Sequence, residues 1–236
     1  MTRISTAMVM AAGLGSRMRP LTNDRPKPLV TVAGRPLIDH MLDRLADAGV
    51  GRAIVNVHYR ADQLEAHLAD RRRPAIVISD ERALLLETGG GLAKARPLLG
   101  DDPIFVANTD SLWIERAPAL GGLAAAWDPD RMDVLVMLAP LRHAIGFDGT
   151  GDFALDAAGR ILVPVKGSAA PYAYTGVQIL RPGLFDARPA APFSTWVVWR
   201  EVLSRGRMFG VVMDGVWLHV GDPAAREAAE LRLAQA

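Results

Sequence analysis

Cysteine is absent from this chain of 236 residues. That excludes disulfides, thiolate metal sites and thiol catalysis together, and it points to a reducing cytosol. Long apolar runs are missing as well. The longest beyond the N-terminal region, Val134 to Leu141, falls far short of the roughly 20 residues that a membrane-spanning helix requires. The stretch Ala7 to Ala12 follows Arg3 in the manner of a secretory signal, but it ends at Gly13, and Arg17 and Arg19 come directly after it. Neither membrane insertion nor export is expected, and the chain reads as cytoplasmic. Net charge is scarce too: 27 basic residues stand against 26 acidic ones. A formal balance of +1 gives no bulk attraction to nucleic acid, so charge must act locally. Lysine is rare among the basic residues, occurring only as Lys27, Lys94 and Lys166.

What is present is a chain half hydrophobic, long enough for one domain of generous size. Short apolar runs rich in β-branched residues predict buried strands over Ala7 to Ala11, Ala53 to Val57, Ala75 to Ser79, Ile104 to Ala107 and Val134 to Leu138. Between them Leu37, Ile38, Met41, Leu42 and Leu45 recur at helical spacing before Gly49, and Leu64 and Leu68 share a face of the next helix. Alternating strands and helices predict an α/β fold, with ligands at the carboxyl ends of the strands. From about Gly146 glycines punctuate short segments, Phe153 to Leu155 and Ile161 to Val165, which predict hairpins. Tyr172 to Leu180 and Met208 to Met213 read as strands, and Thr195 to Leu203 and Pro223 to Leu233 as helices. There is no internal repeat.

The most informative stretch is "MVMAAGLGSRMRPLTNDRPKPL", Met8 to Leu29. A strand delivers the chain to Ala12-Gly13-Leu14-Gly15, where glycines allow positive φ and leave amides uncovered, as in a nest for phosphate oxygens. Taken alone such a turn serves equally to reverse the chain. Positive charge behind it adds information. Arg17 follows the second glycine by two residues, and Lys27 is held between Pro26 and Pro28 in stiff, extended chain. The P-loop pattern G-x-x-x-x-G-K-[ST] is absent.

"AAGLGSRMRPLT" followed by "PKPLVTVAGRPLIDHML" resembles the signature of the nucleotide-sugar pyrophosphorylases, the sugar 1-phosphate nucleotidyltransferases. "LLLETGGGLAKARPLLGDDPIFVANTDSLW", "GDF", "YTGVQIL" and "WLHVGDPAAREAAE" resemble later elements of that family, so the likeness covers most of the chain. It implies a three-layer α/β/α, Rossmann-like fold with a mixed, mostly parallel central sheet. It also implies a single domain, 1–236, with a nucleotide-binding lobe at 1–140 and a sugar-binding lobe at 141–236. The reaction implied is attack of a sugar 1-phosphate on a nucleoside triphosphate, giving NDP-sugar and pyrophosphate. Within the family the "LETGGG" wording is most similar to the uridylyltransferases that act on N-acetylmuramate 1-phosphate in peptidoglycan recycling. Mannose-1-phosphate guanylyltransferases share much of it. A nucleotide-binding regulatory module without catalysis is the alternative of another class.

By that resemblance Gly13 and Gly15 carry the triphosphate, with Ala11, Ala12, Glu87, Thr88 and Gly89 at the base and ribose. Arg17 grips the departing phosphates and Lys27 neutralises charge at the α-phosphate, a fork and a point charge respectively. Gly151, Asp152, Thr175 and Gly176 fall on the sugar side. Asp110 is the expected ligand of Mg²⁺, with Mn²⁺ as an alternative. Where the family has a second aspartate, this chain has His219, a poorer ligand for a hard ion. Three arrangements are open: His219 ligates, Asp222 moves in, or Asp110 acts with the phosphates alone. Three glycines, Gly89 to Gly91, standing before a helix would present bare amides to a base or an anion. Asn56 is open between the base edge and a turn, and Lys166 reads as a solvated lysine. Trp196 and Trp199, one turn apart, are open between core and pocket. The oligomeric state is not specified by the sequence.

Overall fold

Strand β1 (Thr6–Met10) sets the plan of the molecule. Ala7 and Val9 join one apolar cluster and Met8 the other, the two-residue alternation of a strand buried on both faces. The structure, a computed structural model, describes residues 4–165 and 167–235; Lys166 lies outside them. After β1 come the short pair β2 (Thr31–Val32) and β3 (Arg35–Pro36), α1 (Leu37–Asp47), β4 (Arg52–Val57), α2 (Ala61–Leu68) and β5 (Ala75–Asp80). Then follow α3 (Glu87–Leu99), β6 (Ile104–Asn108), β7 (Ser111–Glu115), α4 (Ala119–Ala126), β8 (Val134–Pro140) and β9 (Ala144–Ile145). The chain ends with β10 (Ala154–Leu155), β11 (Ile161–Leu162), β12 (Tyr172–Leu180), α5 (Trp196–Ser204), β13 (Met208–Val212), β14 (Gly215–His219) and α6 (Pro223–Leu233).

Seven strands form the central sheet in the order β13-β8-β12-β6-β1-β4-β5. Only β12 runs against its neighbours, β6 and β8; the other pairs are parallel. Helices α1, α2 and α4 contribute Met41, Leu64 and Leu123 to one apolar cluster, while α3 and α5 contribute Leu92 and Val202 to the other. The result is a three-layer α/β/α fold with a mixed, mostly parallel sheet. Its two cores lie on either face of that sheet, because its strands carry apolar side chains both ways. A smaller sheet, β7-β14-β9, leaves the end of β6, and α6 closes over it. Among the described residues no helix is long and apolar enough to cross a membrane.

Three details depart from the sequence reading. The glycines do not precede α3 but lie in its first turn, since the helix starts at Glu87. Lys27 is not in extended chain: Pro26 is extended, and Lys27 begins a 3₁₀ turn that ends at Leu29. The hairpin β10–β11 forms, but β11 stops at Leu162 rather than Val165. Pro164 has no N–H to extend the ladder, and Val163 and Val165 are exposed there.

Candidate active site

Where β1 and β6 end side by side, a cavity of about 220 Å³ opens. Gly13, Gly15, Arg17, Lys27 and Asp110 line it, bringing together residues far apart in the chain. Gly15 is left-handed, at φ +64, and a β-carbon there would lie 3.0 Å from both Lys27 Cβ and Thr22 Cγ2. The Thr22 hydroxyl donates to the Gly15 carbonyl at 2.8 Å. A side chain at Gly15 would therefore push the glycine loop away from the Pro-Lys-Pro element, so the two halves of the opening motif form one local structure.

Lys27 Nζ donates to Asp110 Oδ2 at 2.7 Å, and both side chains are largely buried. Burial, the largest single influence, would raise the Asp110 carboxyl, but the Lys27 ammonium, the His219 ring and a backbone amide together hold it below the usual range. Asp110 sits at the corner between β6 and β7. The register of β14 on β7 pairs His219 with Ser111 and so delivers the imidazole to the same corner. The His219 ring packs on Trp217 at 5.4 Å, and a β-carbon at Gly221 would lie 2.7 Å from its Nε2. Burial lowers its pKa against the pull of Asp110 and favours the neutral ring, the form able to ligate a metal. Asp222 is otherwise engaged: its carboxylate accepts from the Ala225 amide at 2.9 Å and caps α6. Among the described residues, no group of three or more His, Asp or Glu is placed to hold an ion. Arg25 pairs with Asp24 on the surface.

Behind the cavity runs a buried polar network that the sequence did not announce. The Ala11 amide donates to Asn56 Oδ1 at 2.7 Å, Asn56 Nδ2 donates to Glu81 Oε1 at 2.8 Å, and Glu81 Oε2 accepts from the Leu86 amide at 3.3 Å. Asn56 is thus a buried residue of β4 rather than a turn residue, and it ties the end of β1 to the approach of α3. Burial of Glu81 pushes its carboxyl above the ordinary value despite these donors. The amides of Gly89 and Gly90 are not bare, because both donate to the Phe193 carbonyl, at 2.8 and 3.1 Å.

A second cavity, of about 230 Å³, shares Met10 and Asn108 with the first. Thr88, Tyr174, Gln178, Trp196 and Trp199 line it. Trp199 is buried and its indole N–H donates to Gln178 Oε1 at 3.0 Å; Trp196 is 38% exposed, so it forms wall as well as core. None of the four residues expected on the sugar side lines this cavity, and three of them serve the backbone around it. Thr175 spends its hydroxyl on the Met137 carbonyl at 2.9 Å. Gly176, at φ +81, lets β12 approach Asn108, whose Nδ2 a β-carbon would meet at 2.8 Å. Gly151, at φ +96, lies against the Ala170 carbonyl. Asp152 accepts from the Tyr174 amide at 2.8 Å, and burial raises its pKa. Asn108 and Tyr174 were not singled out from the sequence, although each lies inside a motif quoted above.

A family model described as MobA-like NTP transferase domain matches residues 7–193. The chain is 56% identical over 235 residues to the N-acetylmuramate alpha-1-phosphate uridylyltransferase of Caulobacter vibrioides, covering 98% of this chain and 97% of that protein. It is 36% identical over 218 residues to a protein of the same name in Neisseria meningitidis serogroup B, covering 91% and 92%. Among solved structures, the inositol-1-phosphate CTP transferase from T. maritima matches with a TM-score of 0.77 at 19% identity. That match covers 98% of this chain and 97% of the other, a likeness of fold.

Proposed function

Since the chain belongs to the MobA-like NTP transferase family and is a nucleotidyltransferase, we propose that it joins UTP to N-acetylmuramate 1-phosphate, releasing pyrophosphate and forming UDP-N-acetylmuramate. The observation that carries this reading is the Lys27–Asp110 pair on the wall of a cavity rimmed by Gly13, Gly15 and Arg17. An ammonium and a carboxylate side by side, next to uncovered amides, suit a polyphosphate and its counter-ion. The likeness to the uridylyltransferases from Caulobacter vibrioides and Neisseria meningitidis supports the choice of substrates. The cytosol, where nucleoside triphosphates are made, is the compartment this reading implies.

In the reaction proposed, an oxygen of the sugar phosphate attacks the α-phosphorus in line and pyrophosphate departs. Both reactants are anions, so the chain's task is to hold them together and absorb charge. Amides of the Gly13–Gly15 turn receive phosphate oxygens, and Arg17 forks onto the departing phosphates. Lys27 exchanges Asp110 for a phosphate oxygen near the reacting phosphorus. The second cavity holds the sugar. Ala11 and Ala12, with Glu87, flank the base and ribose side; Thr88 lines the second cavity instead, and the Gly89 amide is already taken by the Phe193 carbonyl. The donor set fits a divalent ion: one low-pKa carboxylate, Asp110, beside the space for phosphates is the arrangement Mg²⁺ takes, and a neutral His219 would favour Mn²⁺. Bound there, such an ion would neutralise phosphate charge in the transition state.

A pyrophosphate-release panel crossing nucleoside triphosphates with sugar 1-phosphates tests the proposal. The highest kcat/KM should fall on UTP with N-acetylmuramate 1-phosphate. Preference for GTP with mannose 1-phosphate would overturn the substrate assignment. Tight nucleotide binding with no turnover under Mg²⁺ or Mn²⁺ would overturn catalysis itself.

A further inference from the structure

The first turn of α3 is where the two cavities are tied to each other. A helix start leaves amides without partners inside the helix. Here those of Gly89 and Gly90 both go to the Phe193 carbonyl, at 2.8 and 3.1 Å. The Phe193 amide returns to the Leu86 carbonyl at 3.2 Å, and Thr88 Oγ1 accepts from the Thr195 amide at 2.9 Å. A strap of chain, 191–195, is thereby laced onto the helix. There is no room in the seam for a side chain. A β-carbon at Gly89 would lie 2.8 Å from the Phe193 carbonyl oxygen and overlap the Phe193 ring, and one at Gly90 would overlap the Ala191 carbonyl oxygen.

What the strap leads into gives the seam its meaning. The next residue, Trp196, opens α5 and packs 5.3 Å from Trp199 and 5.8 Å from Phe153, which follows Asp152 in the chain. Trp199 in turn meets Tyr174 edge-on at 5.0 Å. Trp196, Trp199 and Tyr174 line the second cavity, and Phe153 is buried behind them. Gly91 faces elsewhere: its β-carbon would lie 2.9 Å from Glu81 Oε1 and 3.1 Å from Asn56 Nδ2, in the network behind the first cavity.

We propose that Gly89 and Gly90 are positioning residues for the sugar phosphate rather than contacts for the nucleotide. By staying bare of side chains they let the strap dock, and the docked strap fixes Trp196 in the acceptor wall. The inference rests on the second cavity being the acceptor pocket. If bulk is added at the seam, the strap moves and the helix stays, since α3 is anchored by fully buried Leu92, Ala95 and Leu99 while Pro192 on the strap is exposed. The damage then falls on one substrate.

The test is a comparison of KM values in Gly90→Ala and in Thr88→Val, which deletes the acceptor for the Thr195 amide without adding bulk. Both are assayed with UTP and with whichever sugar phosphate the unaltered protein turns over best, so a wrong acceptor identity shows in the wild-type panel and not in this split. In Gly90→Ala the KM for the sugar phosphate rises at least about tenfold while that for UTP stays within about threefold, and tryptophan emission shifts to the red as Trp196 loses its packing. Thr88→Val shifts the same KM by about threefold and also shifts tryptophan emission to the red, which the loss of a direct Thr88 contact with the sugar phosphate would leave unchanged; a KM shift without the emission change counts against the proposal. Should Gly90→Ala fail to fold, Thr88→Val decides the matter. A KM for UTP that rises as much as that for the sugar phosphate, or a sugar-phosphate KM unchanged in the folded variants, overturns the proposal.

Discussion

The two cavities, about 220 and 230 Å³, meet at Met10 and Asn108 and are built in contrasting ways. The first is built largely from one short stretch, the glycine turn and the 3₁₀ turn bearing Lys27, and is closed by the distant corner that holds Asp110. Its groups are charged, and in the proposed reaction they meet phosphate. The second is assembled from β12, the start of α3, the strap and α5, and its walls are aromatic. Charge placed by a local motif survives changes elsewhere in the fold, whereas an aromatic wall depends on how remote segments dock. The comparison teaches that turnover should be sensitive to single residues in the first cavity and selectivity to backbone seams around the second.

The sharpest way to break this contrast is to remove a cation. Lys27→Ala and Arg17→Ala should each lower kcat at least about a hundredfold in the pyrophosphate-release assay, with circular dichroism unchanged, since each deletes a charge-stabilising contact. Near-normal rates in both would erase the division. Next in size, Asp110→Asn should raise the Mg²⁺ concentration needed for half-maximal rate by tens of fold, and a chelator should stop turnover in the unaltered protein. An unaltered ion requirement in Asp110→Asn would remove that residue from the metal site. On the other side of the comparison, Trp196→Ala should raise the KM for the sugar phosphate about tenfold and leave kcat within about threefold, as expected for the loss of an aromatic wall.

How far the sequence showed these things differs between the cavities for the same reason. Gly13, Gly15, Arg17 and Lys27 stand within one short stretch, so the family resemblance that motif carries implied a common site, and the alternating strands and helices made the α/β layers legible too. Tyr172–Leu180 was read as a strand with the bounds it has, but nothing in its composition says that it runs antiparallel between β6 and β8. The glycines of α3 illustrate the limit. Three in a row suggest bare amides, and only the position of Phe193, about a hundred residues downstream, shows that two of them are covered. Glu81 was invisible for a related reason: a lone glutamate after a strand gives no sign that it will be fully buried between Asn56 and Leu86.

Glu81 also gives the smallest expected effect on turnover, and a pH signature. Its oxygens accept from two donors, so Glu81→Gln sets an amide N–H₂ against another donor and should cost about 1–3 kcal/mol in urea denaturation. Burial raises its folded pKa above the ordinary 4.5, which means the folded chain holds that proton more tightly than the unfolded one. The associated stability is fully present below the unfolded value and is lost as pH rises through the higher folded value. The gap between the unaltered protein and Glu81→Gln should therefore narrow upward through that window. A gap that widens there would show that Glu81 is held ionised instead.

The most direct measurement of the central claim is the crystal structure with UTP and Mg²⁺ bound. The account predicts the triphosphate in the first cavity, with phosphate oxygens on the Gly13–Gly15 amides and on Lys27, and the second cavity free for the sugar phosphate. A nucleotide bound elsewhere, with Lys27 still paired to Asp110 and the glycine turn facing water, would contradict it.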